Sequence, residues 1–564
     1  MTKILLLLSK DNYPKPEIEI NIVPQGLPYI ASSLEHAGYD VYGLNPNYVT
    51  FDRDVKEFLK ILLVEKIKEC RPRYIGLGAL SANYLFIRDA INIIRDIDPE
   101  IKIILGGGII SSDAEYIFEH LAPDYGVILE GEITIVELLR CLDEDKEPVD
   151  IKGIIYKNTI LDKIIKNPPQ NINVNIDDLP YPNFDIFDIE KFYELSNQEN
   201  MYFTGHTRKN PRLFVVSGGR SCPFKCTFCY HSTGTKYQNR PIESIIKEMK
   251  YFHKKYNFNI IHFYDELFSI NKERIINICN ALIQLKKTDH IDVDWTCTMR
   301  VNQTDMEIVE IMKEAGCFAI GFGFESASDP VLLSMKKKVT KKQMLNTIKM
   351  CEDAQVGIQA NFIFGDPVET IETQKETVQF INEYCHDHIV HFGMISPFPG
   401  SPIWNHCINE KVITDKKIYY ENIHSGNGMH NLMNMTQIPD EDFFKHIDDT
   451  LRIDYTNYKT IEKLTFDNQI ELGIQGECPH CHSQIEYLYP RIPLGNNIYS
   501  IMNSIAPKIN WCSHCHKRIV IPTISLFENI DKGVQDFIKE IKRKLNNNEK
   551  VVLILGYCVN HITS

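Results

Sequence analysis

Short apolar segments alternate with amphipathic helical patterns along the first 139 residues of this chain. The apolar segments are residues 4–8, 40–44, 74–78, 101–105 and 125–129, and the helical patterns are 27–37, 54–70, 82–96 and 114–120. This order predicts a parallel sheet wrapped by helices, and hence a doubly wound, Rossmann-like α/β domain over residues 1–145. Ligands of such sheets bind at the carboxyl ends of the strands.

The same rhythm resumes further along the chain. Six apolar segments alternate with helical patterns, at 213–217, 260–264, 292–297, 318–324, 358–364 and 389–395. Six repeats predict a partial (β/α)6 barrel of the TIM type over residues 206–405, smaller than the closed eight-stranded form. Residues 146–205 predict a linker, because they are rich in Asp, Asn and Pro, and because Pro180 and Pro182 favour extended chain.

Charge, hydropathy and cysteine content limit the partners and the cellular compartment that we expect. The formal net charge of -14 offers no basic footprint for phosphate backbones, so no nucleic acid partner is expected. The apolar segment 4–8 is bounded by Lys3 and Lys10 and is too short for a signal-peptide core or a membrane span. The 16 cysteines of this 564-residue chain therefore predict metal binding rather than disulfides, in a cytoplasmic protein.

Three cysteines, Cys222, Cys226 and Cys229, stand just after the first strand of the second domain. This is the carboxyl end of a barrel strand, where active sites of such barrels lie. Three thiolates can hold three irons of a four-iron, four-sulfur (4Fe-4S) cluster and leave the fourth iron open. The alternative is a structural zinc, which needs four ligands, and His231 is too close in sequence to be an obvious fourth.

The Cys-x3-Cys-x2-Cys loop, with Phe228 before its last cysteine, resembles the signature of the radical S-adenosylmethionine (SAM) superfamily. The resemblance covers the whole predicted barrel. It implies that the amino and carboxylate groups of SAM chelate the open iron, and that an electron passed through the cluster splits the sulfonium to give a 5'-deoxyadenosyl radical. An electron donor such as flavodoxin or ferredoxin is the implied partner.

The resemblance also implies SAM contacts at the ends of the barrel strands. The implied residues are Phe228, Asp265, Glu266, Arg300, Glu325, Ser326 and Ile363. Asp265 and Glu266 stand where the family usually has Gly-Gly-Glu, a motif that meets the SAM amino group. An exposed carboxylate capping the next helix is the alternative for Glu325, and a tight turn is the alternative for the segment around Ile363.

Residues 1–190 resemble the cobalamin-binding domain fused to one large radical SAM subgroup, through segments 24–31, 105–108 and 130–132. Glycines after a strand allow a flat corrin to approach the backbone closely. The residues implied to contact cobalamin are Gly26, Leu27, Ser81, Gly106, Gly107, Gly108, Glu130 and Gly131. The Asp-x-His-x-x-Gly element that supplies an axial histidine in many cobalamin proteins is absent, so cobalamin would bind without it or the domain would be vestigial.

Two Cys-x2-Cys pairs follow the barrel, formed by Cys478 with Cys481 and by Cys512 with Cys515. Four soft ligands at this spacing predict a structural zinc in a zinc-ribbon-like module over residues 471–525, with unligated buried thiols as the alternative. Residues 406–470 predict a helical extension, and residues 526–564 a C-terminal helix and strand. The basic run 336–342 is interpreted as a solvated helix start capped by Thr340, in preference to a phosphate site.

The resemblance favours a cobalamin-dependent radical SAM methyltransferase acting on an unactivated carbon or phosphorus centre of a natural product, lipid or peptide. Radical cyclisation or rearrangement with the same cofactors is one alternative, and a non-catalytic cobalamin or redox sensor is another. A transfer-RNA methylthiotransferase needs a second cysteine triad before the barrel, and only Cys70 and Cys141 precede Cys222. The sequence shows no recognisable signature for the substrate.

Overall fold

The structure is a computed structural model that describes residues 1–14, 23–49, 54–158, 160–170, 175–195, 208, 211–232, 234–268, 271–423, 433–443, 445, 462–467, 471–490 and 508–521. The helix and strand predicted over 526–564 lie outside the described residues. The described ranges form two large sheets and a small antiparallel module.

The first sheet has seven strands in the order β2-β1-β3-β4-β5-β6-β7. Strands β1 to β5 pair in parallel, which confirms the doubly wound α/β prediction. The strands are β1 (Lys3–Leu8), β2 (Asp40–Leu44), β3 (Tyr74–Gly78), β4 (Lys102–Gly106), β5 (Tyr125–Val127), β6 (Ile154–Asn158) and β7 (Lys163–Lys166). The helices are α1 (Gly26–His36), α2 (Val55–Cys70), α3 (Tyr84–Ile97), α4 (Gly108–Ser112), α5 (Ala114–Leu121) and α6 (Glu132–Asp143).

Strands β6 and β7 extend this sheet by antiparallel pairing. They fall within 146–205, so the prediction of a linker is wrong for residues 154–166. Ile154 and Tyr156 are buried against the sheet, and the Asn158 side chain accepts hydrogen bonds from the backbone N–H groups of Ile160 and Leu161, which closes the hairpin. A helix, α7 (Ile189–Leu195), follows in the same segment.

The second sheet has six parallel strands in the order β15-β14-β13-β12-β11-β8, which confirms the partial barrel. The strands are β8 (Leu213–Val216), a short antiparallel pair β9 (Gly219–Arg220) and β10 (Gln238–Asn239) outside the sheet, β11 (Ile260–Phe263), β12 (Asp294–Met299), β13 (Cys317–Glu325), β14 (Gly357–Phe364) and β15 (Ile389–Met394). The helices are α8 (Ile242–Tyr256), α9 (Lys272–Asp289), α10 (Met306–Glu314), α11 (Asp329–Ser334), α12 (Lys341–Asp353), α13 (Ile371–Tyr384), α14 (Pro402–Asn409) and α15 (Lys416–Asn422).

The first domain packs on α14 and α15, which follow the barrel, and residues of these two helices belong to the same apolar core as residues of the first domain. The Tyr420 ring centroid lies 5.2 Å from that of Tyr84 and 5.3 Å from that of Tyr116. The loop after β8 meets the loop after β4, where the Tyr230 hydroxyl donates to the Gly108 carbonyl at 3.2 Å. The carboxyl ends of the two parallel sheets therefore face each other.

A small antiparallel module covers the opposite end of the barrel. Its strands are β16 (Glu462–Asp467), β17 (Glu471–Glu477), β18 (Gln484–Pro490), β19 (Lys508–Trp511) and β20 (Arg518–Ile521). Trp511 is buried in the barrel core, where a Cβ added to Gly357 at the start of β14 would lie 2.6 Å from its ring. The backbone N–H of Arg518 donates to the Asp387 carbonyl at 3.0 Å. The module therefore closes the amino-terminal ends of the strands.

Candidate active site at the facing ends of the two sheets

The cysteine loop leaves β8 by a sharp change of direction. Ser221 has a φ of +67°, a left-handed conformation that is uncommon for a residue other than glycine. A turn then brings the Cys229 N–H 3.3 Å from the Cys226 carbonyl. Cys226 is buried, and Cys222 and Cys229 are half-buried, with all three thiols free of disulfides. The loop thus places three thiols at the end of the barrel that faces the first domain.

The three thiols of this loop are not gathered around one point. Within the described part of the chain, the one group of at least three Cys, His, Asp or Glu ligand atoms that all lie within 4.8 Å of one another belongs to the C-terminal cysteines. A 4Fe-4S cluster takes three thiolates on separate irons, and a structural zinc takes four ligands at about 2.3 Å. The cluster and the zinc alternative at this loop both stay predictions.

Two buried cations lie beside the thiols. The Arg300 guanidinium lies 3.8 Å from the centroid of the Phe224 ring, and its Nη1 lies 3.6 Å from Cys226 Sγ. A hydrogen bond with Cys229 and the positive charges of Lys337 and Arg300 lower the pKa of the Cys226 thiol to about 6. Cys226 therefore favours the thiolate at neutral pH, the form that binds metals.

Glu325 ends β13 in a left-handed conformation, with a φ of +65°. Its Oε1 accepts a hydrogen bond from Lys337 Nζ at 2.6 Å, and the two side chains are only 10% and 8% exposed. A Cβ added to Gly323 would overlap both head groups. The structure thus places Glu325 at the carboxyl end of the barrel, as predicted, but in a buried ion pair rather than as an exposed helix cap.

Asp265 supports the cysteine loop. Its Oδ1 accepts hydrogen bonds from the backbone N–H groups of Gly218 at 2.7 Å and Gly219 at 3.1 Å, and burial raises its pKa to about 7. Oδ1 of this carboxylate therefore holds the chain that leads into the cysteines, and the contact of Asp265 with SAM stays a prediction. Glu266 is half-exposed and lies 3.6 Å from His231 Nδ1, so it remains available to a ligand.

Ser326 is fully buried in the turn after β13. Its hydroxyl lies 3.1 Å from Thr377 Oγ1 and accepts a hydrogen bond from the Ser328 N–H at 3.1 Å. These bonds shape the turn, and the direct contact of Ser326 with SAM stays a prediction. Phe228 and Ile363 are half-buried and pack against the core shared with the first domain. Both therefore lie on the side of the barrel mouth that faces the first domain.

Small residues on β13 leave room beside polar groups of the neighbouring strands. Gly321 pairs with Gln359, and Gly323 pairs with Asn361. A Cβ added to Gly321 would lie 3.4 Å from Thr298 Oγ1 and 3.9 Å from Gln359 Nε2. Gly321 therefore leaves room for a small group beside Thr298 and Gln359, whereas the Glu325 and Lys337 head groups fill the space over Gly323.

The glycine turn after β4 combines one crowded and one open position. Gly107 has a φ of +86°, and a Cβ there would lie 2.5 Å from the Ala79 carbonyl oxygen. Gly106 has a single atom within 4 Å of its Cβ position, a backbone oxygen at 3.8 Å. Gly108 is contacted from the barrel by Tyr230. The open position on this flat turn fits the predicted approach of a corrin ring.

Ser81 and Leu80 lie beside this turn. Ser81 is buried, and its hydroxyl lies 3.3 Å from that of Ser112. Leu80 is 50% exposed and packs over Gly108, where an added Cβ would lie 2.7 Å from its side chain. An exposed leucine at this edge provides apolar surface that a bound ring would cover.

Glu130 takes part in an ion-pair network that joins the two domains. The Arg220 guanidinium donates to Glu130 at 2.8 Å and to Glu132 at 2.7 Å, and the side chains of Arg220, Glu130 and Glu132 are 13%, 5% and 7% exposed. Arg220 leads into the cysteine loop, so these buried ion pairs connect that loop to the first domain. The contact of Glu130 with cobalamin stays a prediction.

The other residues predicted to contact cobalamin are Gly26, Leu27 and Gly131, and their surroundings differ. No atom of the described residues lies within 4 Å of the Cβ position of Gly26, at the start of α1. Leu27 packs over Gly78 at the end of β3. A Cβ added to Gly131 would lie 3.2 Å from the Ile30 side chain, so Gly131 allows α6 to approach α1. Of these residues, Gly26 keeps a surface free for a ligand.

The C-terminal cysteines converge on one point. Cys478 Sγ lies 3.8 Å from Cys515 Sγ, and Cys481 Sγ lies 3.7 Å from Cys512 Sγ. These are the edges of a tetrahedron whose centre is about 2.3 Å from each sulfur, as in a four-thiolate metal site. The group confirms a four-cysteine arrangement of the metal-binding type. It lies at the closed end of the barrel, away from the three-cysteine loop.

The sequence analysis interprets the basic run 336–342 as solvated, and Lys337 differs from that interpretation. The predicted cap is present, since the Thr340 side chain accepts a hydrogen bond from the Gln343 N–H at the start of α12. Lys337 itself is 6% exposed, between buried Met335 and Val339. Lys337 stands two residues from apolar Met335 and two residues from apolar Val339. This spacing of two is the sequence signal that distinguishes Lys337 from the exposed lysines beside it.

Two family profiles match this chain. The profile of the B12 binding domain matches residues 17–139, and the profile of the radical SAM superfamily matches residues 216–381. This chain is a radical SAM enzyme with a B12-binding domain. The three-cysteine loop of this radical SAM enzyme lies in the second matched range, and the glycine turn lies in the first.

Three known proteins illustrate the range of relatives. An uncharacterized methyltransferase from Pyrococcus horikoshii is 28% identical over 422 residues, which cover 73% of this chain and 84% of that protein. The anaerobic magnesium-protoporphyrin IX monomethyl ester cyclase of Rubrivivax gelatinosus is 23% identical, over 72% of this chain and 69% of that protein. The solved structure of the radical SAM methyltransferase TsrM from Kitasatospora setae, with cobalamin and a 4Fe-4S cluster bound, has a TM-score of 0.58 at 18% identity, over 73% of this chain and 75% of that one, which shows a shared fold.

No helix in the described ranges is both long enough and apolar enough to cross a bilayer.

Proposed function

We propose that this radical SAM enzyme is a cobalamin-dependent methyltransferase. The observation that carries the proposal is the contact of Tyr230, next to the three cysteines, with Gly108 in the glycine turn of the B12-binding domain. This contact supports the proposal because it joins the loop that carries the cysteines to the glycine turn after β4. When both are bound, the cluster and SAM supply a radical that removes a hydrogen atom, and cobalamin supplies the methyl group.

In this proposal Cys222, Cys226 and Cys229 hold a 4Fe-4S cluster. Arg300 and Lys337 lie on the protein side of that loop and offset its negative charge. The amino end of SAM lies near Glu266, which is half-exposed at the end of β11. The rest of SAM extends over Gly321 toward Glu325 and Ile363, because Gly321 leaves room there.

Cobalamin in this proposal lies against the first domain, on Gly106 and beside Gly26, where the added Cβ positions are open. Leu80 covers part of one face of the ring. Gly107 keeps the turn flat, because its φ and the nearby Ala79 carbonyl leave no room for a side chain. The substrate then binds beside this turn, at the end of the barrel that faces the first domain.

The module with the four C-terminal cysteines is proposed to hold a structural zinc. Its four thiolates, their separations of 3.7 and 3.8 Å and its position at the closed end of the barrel all fit an ion that shapes the protein rather than one that reacts.

The proposed substrate is an unactivated carbon or phosphorus centre of a natural product, lipid or peptide, and the proposed reductant is a flavodoxin or ferredoxin. A second candidate function is radical cyclisation with the same two cofactors. The resemblance to the Rubrivivax gelatinosus cyclase over 72% of this chain favours keeping it.

The test is an anaerobic assay of the reconstituted enzyme with SAM, hydroxocobalamin and a strong reductant. Cobalamin retention after gel filtration, S-adenosylhomocysteine and 5'-deoxyadenosine are measured in the same samples. Methyl transfer predicts retained cobalamin and formation of both products. 5'-Deoxyadenosine without S-adenosylhomocysteine would favour cyclisation, and loss of cobalamin from the enzyme would contradict both functions.

A further inference from the structure

Lys337 is held inside the barrel mouth by unusual local backbone. Lys336 and Lys338, on either side of it, have φ values of +54° and +55°. Left-handed conformations are uncommon for residues with a side chain, and two of them around one residue persist only when the surroundings require them. They turn Lys337 inward while its two neighbours remain exposed.

Lys337 makes two separate contacts from this position. Its ammonium donates to Glu325 Oε1 at 2.6 Å, and its backbone carbonyl accepts a hydrogen bond from Arg300 Nη2. Arg300 in turn lies 3.6 Å from Cys226 Sγ. One residue therefore fixes both the carboxylate above Gly323 and the guanidinium beside the cysteine loop.

The charge of Lys337 also reaches the cysteines. Its Nζ lies 5.9 Å from the centroid of the Phe228 ring, and this residue directly precedes Cys229. A buried ammonium is costly unless it is paired, and Glu325 is the acidic partner that the structure provides. A pair retained at such a cost beside a redox loop points to a role in the chemistry of that loop.

We propose that Lys337 is a positioning residue that orients Glu325 for SAM and raises the reduction potential of the cluster. The inference rests on the proposed cluster at the cysteine loop. Reduction adds a negative charge to the cluster, and a nearby positive charge in a medium of low dielectric constant favours that step. Glu325, as the nearby negative charge, acts on the potential with the opposite sign.

The test compares Lys337→Met with Glu325→Gln in the reconstituted full-length enzyme. The reduction potential is measured by a titration followed by electron paramagnetic resonance, without SAM, cobalamin or substrate. Lys337→Met is expected to move the potential to a more negative value, and Glu325→Gln to a more positive one. The dissociation constant for SAM is expected to rise about tenfold in Lys337→Met, as the loss of one oriented ionic contact would produce.

Two further variants separate charge from structure. Lys337→Arg keeps the charge and is expected to restore the wild-type potential. Lys341→Met is the matched control, because Lys341 belongs to the same basic run but pairs with half-exposed Glu376 at 3.1 Å. It is expected to keep both the potential and the affinity for SAM.

Equal potentials in the wild type and Lys337→Met at full iron content would overturn the inference, and so would shifts of the same sign in Lys337→Met and Glu325→Gln. If Lys337→Met fails to assemble a cluster, Glu325→Gln alone tests the inference: a more positive potential in that variant supports it, and a more negative or unchanged potential overturns it. Absence of a cluster in the wild type would instead refute the proposed function.

Discussion

Asp265 shows how a single side chain prepares the loop for its metal. Its carboxylate satisfies two buried backbone N–H groups, those of Gly218 and Gly219, just before the cysteines. A buried N–H group without a partner costs about 1–3 kcal/mol. The loop that carries the thiols therefore depends on an acceptor at this position, whether or not it is charged.

Asp265→Ala is expected to lower the iron content of the reconstituted protein and the free energy of unfolding, because both N–H groups lose their acceptor. Asp265→Asn keeps an oxygen at that place and is expected to retain most of the iron. Iron and sulfide analysis with urea unfolding measures both effects. Full iron and unchanged stability in Asp265→Ala would show that the loop does not depend on this carboxylate.

The glycine turn offers a matched pair of substitutions. Gly107→Ala is expected to cost about 1–3 kcal/mol of stability, because the left-handed backbone and the Ala79 carbonyl leave no room for a methyl group. Gly106→Ala is expected to leave stability unchanged and to reduce cobalamin retention, because its methyl would occupy the proposed corrin surface. Urea unfolding and gel filtration with bound cobalamin separate the two outcomes. Normal retention in Gly106→Ala would move the corrin away from this turn.

At the scale of elements, buried charge connects the cysteine loop to the B12-binding domain. Arg220→Met is expected to destabilise the protein by about 3–5 kcal/mol, because Glu130 and Glu132 would remain buried without a cation. Arg73→Met is the control, since Arg73 pairs with Asp143 while half-exposed, and its loss is expected to cost less than about 1 kcal/mol. Similar losses in both variants by urea unfolding would contradict the proposed coupling.

The module with the four C-terminal cysteines is a second element whose effect can be isolated. The double variant Cys478→Ser, Cys481→Ser removes two of the four proposed metal ligands. It is expected to release Trp511 from the barrel core, where this residue is 1% exposed. Tryptophan emission should then shift to longer wavelength, and the midpoint of thermal unfolding should fall. Trp511→Phe in the same background is the control and should abolish the shift. Unchanged emission would mean that the module stays docked without its metal.

At the scale of the whole molecule, the features that the sequence predicts are those encoded by short, regularly spaced patterns of residues. Both parallel sheets follow from the alternation of strands and helices, and the three-cysteine loop and the four-cysteine group follow from spacing. The contacts that complete the site join distant residues: Arg220 and Glu130 are 90 positions apart. Lys337 looks like one lysine of a solvated run until the fold turns it inward. The hairpin of β6 and β7 was hidden because each strand has only two or three consecutive apolar residues, in a segment rich in Asp, Asn and Pro.

The most direct test of the three-cysteine site is the electron paramagnetic resonance spectrum of the reduced, anaerobically reconstituted enzyme, recorded with and without SAM. An open iron that SAM chelates predicts a 4Fe-4S signal that changes when SAM is added. The signal should disappear when Cys222, Cys226 and Cys229 are replaced by alanine. A signal that SAM leaves unchanged, or one that persists in the triple variant, would contradict the account.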